Sequence, residues 1–251
     1  MRHDATPRAP DPREAASAMP EPFSDPEVVA RYAEGPPRLV PGFADLHRMT
    51  TLLLAEHAPP DARVLVLGAG GGLELKTLAT AQPGWRFDGV DPAAGMLALA
   101  ARTLGSVDSR QTLGPLAERV RLHQGYIDDA PDGPYDAATC LLTLHFVARE
   151  ARLHTVSQLR RRLKPGAPLV VAHISFPQGA GERARWLSRY AAFAVDSGIA
   201  PAQADSARAA IDARLHLLTP EQDEAILRDA GFSDVSLFYA GFTFRGWVAR
   251  A

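Results

Sequence analysis

The sequence predicts an α/β fold: a doubly wound, seven-stranded, mostly parallel sheet with a helical cap insertion and a C-terminal antiparallel hairpin. Short aliphatic runs alternate with helical patterns from residue 61 onward, and a glycine cluster at residues 68–72 joins the first run to a helix. Strands that alternate with helices form right-handed crossovers and hence a parallel sheet. The last two strands lie too close in sequence for a crossover helix, which predicts the hairpin.

The first 60 residues precede this alternation. Residues 1–26 hold six prolines and alternate charges with small residues. We expect a disordered leader there, because such a segment buries too little apolar surface to offset its ordering entropy. Residues 27–60 are predicted to form an N-terminal helical segment. Gly35-Pro36-Pro37 is expected to interrupt it, and apolar residues from Phe43 then recur at helical spacing until Pro59.

Residues 61–251 are predicted to form one domain. Its five parallel strands are expected at residues 63–67, 85–90, 119–124, 135–142 and 168–174. The helices between them are expected at 72–81, after Asp91-Pro92, and at 149–163. The stretch 181–215 is the predicted helical cap, because a lid over the C-terminal edge of the sheet can grow after the fifth strand.

The chain end has a clear local pattern. Thr219 is a predicted helix N-cap, with Pro220 at the first helical position and Gln222 at the capping-box position. That helix is expected to end at Ala230-Gly231. The runs 235–240 and 242–248 then form the predicted hairpin at the sheet edge.

Composition and charge exclude several classes of function. The chain is 46% hydrophobic and 22% charged, with a net charge of −2, so no overall field favours nucleic acid or anionic lipid. Cys140 is the only cysteine, which excludes an internal disulfide and predicts a cytoplasmic protein. The eight histidines lack paired ligand spacing, so no metal is expected. The cap and the hairpin offer surfaces for a homodimer.

A glycine loop and a spaced acid predict a nucleotide-like ligand. Gly68, Gly70 and Gly72 follow the first strand and open a helix, where bare backbone and free N–H groups favour a polar or anionic ligand. Leu73 stands where a dinucleotide-binding loop needs glycine. Asp91 ends the second strand and can accept both hydroxyls of a ribose. The alternative is that Asp91 only caps the next helix.

The runs VLVLGAGGG, FDGVDPAAGML and LKPGAPLVV and the terminal AGF…FTFRGWVA resemble class I S-adenosylmethionine-dependent methyltransferases over roughly residues 62–250. The resemblance implies a Rossmann-like fold, S-adenosylmethionine as cofactor and S-adenosylhomocysteine as product. It implies that the glycine loop contacts the methionine moiety, that Asp91 holds the ribose, and that the residue after Gly125 addresses the adenine. The predicted cofactor-binding residues are Phe43, Gly68, Ala69, Gly70, Gly72, Asp91, Pro92, Met96, Tyr126, Ile127 and Leu141.

Two positions depart from the family pattern. Many members have an acid two residues before the first glycine, where this chain has Val66. Tyr126 occupies the usual position of an aspartate after the third strand. Asp128 or Asp129 is expected to substitute for it from the same loop.

A closer resemblance is to the carboxy-S-adenosylmethionine synthases, which serve the modification of tRNA wobble uridine. It is carried by Val40-Pro41-Gly42-Phe43, Thr143-Leu144-His145-Phe146 and Phe242-Thr243-Phe244. In that family an arginine of the cap grips the carboxylate of the modified cofactor, and counting from Phe193 places Arg208 there. Phe43, Tyr126 and Leu141 stand where the family has tyrosine, aspartate and asparagine.

These observations predict an S-adenosylmethionine-dependent methyltransferase that acts on a small molecule. The alternatives are a carboxy-S-adenosylmethionine synthase and a non-catalytic binding protein of the same fold. His145, just beyond the fourth strand, is the predicted general base, and Arg208 is the second predicted catalytic residue. His173, near the end of the fifth strand, is a weaker candidate because a hydrogen-bonded structural histidine is the more expected interpretation there.

Overall fold

A computed structural model describes residues 32–105 and 116–251, so the leader predicted at 1–26 lies outside the described residues. Its centre is one seven-stranded sheet. The strands are β1 Arg63–Leu67, β2 Arg86–Asp91, β3 Val120–Gln124, β4 Ala137–Leu141, β5 Pro168–Ile174, β6 Ser233–Gly241 and β7 Phe244–Arg250. The spatial order is β3-β2-β1-β4-β5-β7-β6. Strands β1 to β5 are parallel, and β7 runs antiparallel to both β5 and β6, which confirms the predicted fold.

Eight α-helices accompany the sheet in the described ranges. They are α1 Gly35–Leu39, α2 Phe43–Ala55, α3 Leu73–Ala81, α4 Ala94–Thr103, α5 Arg149–Arg162, α6 Glu182–Asp196, α7 Pro201–Arg214 and α8 Pro220–Asp229. One face of the sheet packs against α2 and α3 through Leu46 and Leu75. The other packs against α5 and α8 through Leu159 and Leu227. The central strands are therefore buried on both sides, as their continuous apolar sequences require.

Local signals explain where the elements begin and end. Thr219 Oγ1 accepts from the Gln222 N–H at 3.4 Å, and Gln222 Oε1 accepts from the Thr219 N–H at 3.0 Å, which confirms the capping box before α8. Gly35-Pro36-Pro37 was expected to interrupt the helical segment but starts α1. The expectation was wrong because proline suits the first helical positions, where its missing N–H is not needed.

The stretch 181–215 consists of two helices rather than one. Gly198 adopts a positive φ of 89° after α6, and Pro201 begins α7. A residue in the left-handed region followed by proline ends one helix and starts the next. Within the described ranges no helix is both long and apolar enough to cross a membrane.

Candidate functional site

The carboxyl ends of β1, β2 and β4 open into a cleft of about 990 Å³, its open mouth included. Ligands of open α/β sheets bind in this position. Eight of the residues predicted to bind a cofactor line it: Gly68, Gly70, Asp91, Pro92, Met96, Tyr126, Ile127 and Leu141. The sequence pattern and the largest concavity at this edge therefore coincide.

Asp91 connects β2 to the glycine loop. Its Oδ2 accepts from the Gly70 N–H and its Oδ1 from the Ala93 N–H, both at 2.9 Å. The residue is 5% exposed, and this burial raises its pKa, although the two N–H donors oppose the shift. A carboxylate has about four lone-pair positions, so two hydrogen bonds leave acceptor capacity for a ligand. Asp91 thus caps the following turn and still lines the cleft, so the capping bonds do not exclude a contact with a ligand.

The glycines of the loop are required partly by the protein itself. A Cβ on Gly68 would lie 1.9 Å from Thr143 Oγ1, and a Cβ on Gly72 would lie 2.8 Å from Ala100 Cα. Gly72 thus allows α3 to pack closely on α4 and lies outside the described cleft lining. The sequence predicts a ligand contact for Gly72, whereas the structure places it in a packing contact between the helices. Gly70 is the glycine whose N–H donates to Asp91.

The far wall of the cleft is largely apolar, with Tyr126, Ile127, Phe146 and Val147 around it. Asp128 lines the same wall, where its carboxylate meets His154 Nε2 at 2.9 Å. Asp129 instead accepts from the Tyr126 N–H at 3.0 Å and thereby closes its own turn. Of the two acids expected to substitute for the family aspartate, Asp128 is the one on the cleft wall.

A second, smaller cavity of about 330 Å³ lies on the other side of the glycine loop. It contains the remaining predicted contacts Phe43 and Ala69, together with Tyr32, His47 and Glu74. Burial raises the pKa of Tyr32 to about 12, with the charges of Asp91 and Glu74 adding to the shift. Burial lowers the pKa of His47 to about 4, so its imidazole is neutral at pH 7.

Sequence spacing predicts no chemistry for Tyr32 or Glu74. Both reach the cavity through contacts between elements distant in the chain: Tyr32 precedes α1, and Glu74 lies in the first turn of α3. The one available signal was a charged residue on the otherwise apolar face of α3 beside Leu75 and Leu78. A buried acid at such a position indicates either a partner or a function.

The end of β4 carries a strained residue between the two cavities. Leu142 adopts φ of +55° and lines both of them, and its N–H donates to the Ala172 carbonyl at 2.5 Å. A branched side chain in the left-handed region costs roughly 1–3 kcal/mol. Such strain persists only where the surrounding structure imposes it. Here the strained residue lies in the wall that the two cavities share.

The two predicted catalytic residues need correction. His145 is buried and points into the core, where its Nδ1 accepts from the Ile174 N–H at 3.4 Å. Burial, and then the charges of His173 and Arg152, hold its pKa well below the ordinary value. His145 follows β4 as predicted, but its 3₁₀ turn directs the side chain toward β5, and it is not among the described residues that line either cavity.

Arg208 lies on the outer side of α7, with its side chain 41% exposed and its Nε 3.3 Å from Asp205 Oδ1. Counting residues from Phe193 gave its position but not the helix face that it occupies. Of the described lining residues of both cavities, none is an arginine or a lysine. A search of the described ranges finds no group of three His, Cys, Asp or Glu residues that could hold a metal ion.

Comparison with known proteins agrees with this geometry. Residues 65–169 match the family model described as a methyltransferase domain. A carboxy-S-adenosyl-L-methionine synthase of Chromohalobacter salexigens is 27% identical over 227 residues, which are 90% of this chain and 82% of that protein. A second such synthase, from Pseudomonas fluorescens, is 26% identical over 89% of this chain and 90% of its own length.

Solved structures show the same fold. Human N-acetylserotonin methyltransferase in complex with S-adenosylmethionine superposes with a TM-score of 0.61 at 15% identity, over 96% of this chain. This chain spans about three fifths (62%) of that protein's length. Residues 65–169 thus resemble a methyltransferase domain in sequence, and the chain as a whole has the Rossmann-like fold of this solved structure.

Proposed function

We propose that this protein transfers the methyl group of S-adenosylmethionine to a small-molecule acceptor. The observation that carries the proposal is the position of Asp91, which is held against the glycine loop at 2.9 Å and faces a cleft with an apolar far wall. An adenosyl group needs an acceptor for its ribose hydroxyls and an apolar slot for its base. The cleft provides both within one concavity.

The residues present fit this cofactor. Asp91 would accept the ribose hydroxyls, and Tyr126, Ile127 and Phe146 would flank the base, with Asp128 at its polar edge. The glycine loop would lie along the amino-acid end, because it separates the cleft from the second cavity. When bound, S-adenosylmethionine supplies a methyl group that its sulfonium already makes electrophilic.

The protein's contribution would then be mainly orientation. Holding two reactants in line supplies roughly 7–11 kcal/mol of barrier reduction when the geometry is good. Tyr32, Phe43 and Leu142 would exclude water from the glycine-loop side, since they line the second cavity with aromatic and aliphatic surface. His145 has no part in this arrangement, because its imidazole is committed to the core.

Carboxy-S-adenosylmethionine synthesis is the second candidate. The names of the curated relatives favour it, as does the resemblance of the Val40-Pro41-Gly42 segment before α2 to that family. A carboxylated cofactor would need a cation for its extra carboxylate. Arg208 faces solvent, and the described lining offers neither arginine nor lysine, so methyl transfer is the better-supported reaction.

Calorimetry of the purified full chain with S-adenosylmethionine and S-adenosylhomocysteine tests the shared part of both candidates. We expect saturable binding of both ligands; no binding of either would refute the proposal. Mass spectrometry of the cofactor after incubation with S-adenosylmethionine and prephenate separates the two reactions, because only the synthase would produce a carboxylated species. Release of S-adenosylhomocysteine with a cell extract as the source of acceptor would exclude a non-catalytic binding protein.

We also propose a cytoplasmic location, supported by the unpaired, buried thiol of Cys140. A homodimer formed through the cap or the hairpin is a further proposal. Light scattering of the purified chain would test it directly.

A further inference from the structure

Glu74 is a buried carboxyl group beside the glycine loop. It is the second residue of α3, directly after the glycine loop, and it is 7% exposed. Its Oε1 has no hydrogen-bond partner within the part of the chain that the structure describes. Burial raises the pKa of Glu74 to about 7, while the Thr139 hydroxyl opposes the shift. Burial of an acid in this state is costly, which indicates a group that a ligand completes.

The cavity around Glu74 supplies no positive charge of its own. Its other described walls are Tyr32, Phe43, His47, Leu73 and Leu141–Leu142, together with the loop backbone. The rings of Phe43 and His47 lie 4.3 Å apart and close the α2 side. His47 is neutral at pH 7 because burial lowers its pKa to about 4. A cation that pairs with Glu74 in this cavity would therefore have to come from the ligand.

The second cavity continues the cofactor cleft. The two spaces share lining residues: Tyr32, Gly68, Gly70, Leu141 and Leu142. They therefore adjoin at the glycine loop, the end of β4 and the Tyr32 side chain. A ligand with its ribose on Asp91 therefore has a path across the loop toward Glu74. With their open mouths included, the second cavity measures about 330 Å³ and the cleft about 990 Å³, so the second cavity offers the smaller space of the two.

We propose that the Glu74 carboxylate binds the ammonium group at the amino-acid end of the cofactor. This inference rests on the proposed function, because it assumes that an adenosyl amino acid occupies the cleft. Glu74 would supply from α3 a negative charge that β1 lacks, since Val66 stands two residues before the first glycine.

The test compares ligands that differ at the amino-acid end. The full-length protein and its Glu74→Gln variant are titrated with S-adenosylhomocysteine and with 5′-methylthioadenosine, which keeps the ribose and base but has no ammonium group. Hydrogen bonds to charged groups contribute about 1.5–3 kcal/mol, so we expect Glu74→Gln to weaken S-adenosylhomocysteine binding about 10- to 100-fold. Binding of methylthioadenosine should not change. Glu118→Gln, which removes an exposed acid at the start of β3, is the matched control.

A third ligand makes the test independent of the variant's folding. S-adenosylhomocysteine with its amino group replaced by hydrogen should bind the unmodified protein about 10- to 100-fold more weakly than the parent compound. Equal affinity of these two ligands overturns the assignment, and so does an equal loss of S-adenosylhomocysteine and methylthioadenosine in Glu74→Gln. If the unmodified protein binds neither S-adenosylhomocysteine nor methylthioadenosine, the proposed function itself is wrong.

Discussion

Two groups of buried polar side chains lie at different places around the sheet, and they differ in the partners that surround their charges. Near the glycine loop, Asp91 and Glu74 border cavities and retain acceptor capacity. Between α5, α8 and β5, a second group of Arg152, Asp223 and His173 is almost fully buried. None of these three is among the described residues that line a cavity.

The second group is held together by protein partners. Arg152 Nη1 lies 3.3 Å from Asp223 Oδ1, its Nη2 donates to the His216 carbonyl at 2.7 Å, and its Nε donates to the Val147 carbonyl at 3.1 Å. Burial alone would raise the pKa of Asp223. His173, Ser175 and Arg152 more than offset it, so the pKa lies below the ordinary value. The pair therefore joins α5 to α8 as ions.

This difference in partners distinguishes a buried charge that stabilises the fold from a buried charge that could bind a ligand. Both groups are buried at similar depth, so burial alone does not identify a site. The Arg152 guanidinium has three protein acceptors, whereas Glu74 Oε1 has no described donor beside its cavity. Asp223 Oδ2 and both His173 ring nitrogens also lack hydrogen bonds among the described residues, but Asp223 Oδ2 lies 3.2 Å from His173 Nε2 and neither residue lines a described cavity. What distinguishes the candidate ligand site is a buried acid next to an open space whose described walls hold no cation.

The largest expected effect is a loss of stability when the ion pair of the second group is broken. Arg152→Met removes the guanidinium from Asp223 and leaves the buried carboxylate with His173 as its remaining basic neighbour. We expect the free energy of unfolding to fall by about 3–5 kcal/mol. Urea unfolding followed by circular dichroism would measure it. Arg228→Met is the matched control, because its ion pair with Glu224 is exposed on the arginine side and should contribute about 0–1 kcal/mol.

A double variant sharpens this result. Arg152→Met combined with Asp223→Leu removes both charges, so it should recover much of the stability lost in Arg152→Met. Equal stabilities of Arg152→Met and Arg228→Met would contradict the structural role assigned to the second group.

The next effect is on ligand affinity, at the first group. Asp91→Asn replaces one acceptor oxygen by an NH₂ group that has to face either the Gly70 or the Ala93 N–H. We expect the affinity for S-adenosylhomocysteine to fall about 10- to 100-fold, measured by calorimetry. Asp61→Asn, at an exposed position before β1, is the control and should bind normally. Unchanged affinity in Asp91→Asn would remove Asp91 from the cofactor site.

The sequence predicted Asp91 and the glycine loop but not Glu74, and the reason is physical. The glycine loop and Asp91 follow adjacent parallel strands, and the carboxyl ends of such strands meet at one edge whatever the details of packing. Glu74 and Tyr32 depend on how α3 and the N-terminal segment pack on that edge, which no local spacing specifies. His145 shows the same limit: its place after β4 was predictable, but the direction of its side chain was not.

A smaller effect is expected in the pH dependence of binding. Burial raises the Glu74 pKa to about 7, so the free protein holds this group partly protonated, and binding of a cation requires its carboxylate. Affinity for S-adenosylhomocysteine should therefore be lost as the pH falls through 7, with about a tenfold difference between pH 6 and pH 8. Titration calorimetry at these two pH values would measure it.

The neighbouring groups should not produce the same dependence. Tyr32 and His47 remain neutral throughout this range, because their pKa values are about 12 and about 4. The Cys140 thiol also remains neutral, because burial raises its pKa above the ordinary value. Asp91 faces the adjoining cleft and is retained in Glu74→Gln. The affinity of Glu74→Gln for S-adenosylhomocysteine should therefore be nearly independent of pH. If its affinity falls between pH 8 and pH 6 as steeply as that of the unmodified protein, a group other than Glu74 titrates.

The smallest effect is expected at Arg208, whose charge is neither buried nor next to a cavity. Its i,i+3 pair with Asp205 is exposed on both sides, so Arg208→Ala should change the free energy of unfolding by less than about 1 kcal/mol. Its distance from the described lining predicts unchanged S-adenosylhomocysteine affinity by calorimetry. The informative ligand is the carboxylated cofactor: if Arg208→Ala selectively weakened its binding, the cap would have to close inward and the synthase reaction would regain support. If the variant binds both ligands as the unmodified protein does, Arg208 contributes to neither ligand site and its charge is paired only with Asp205 on the surface.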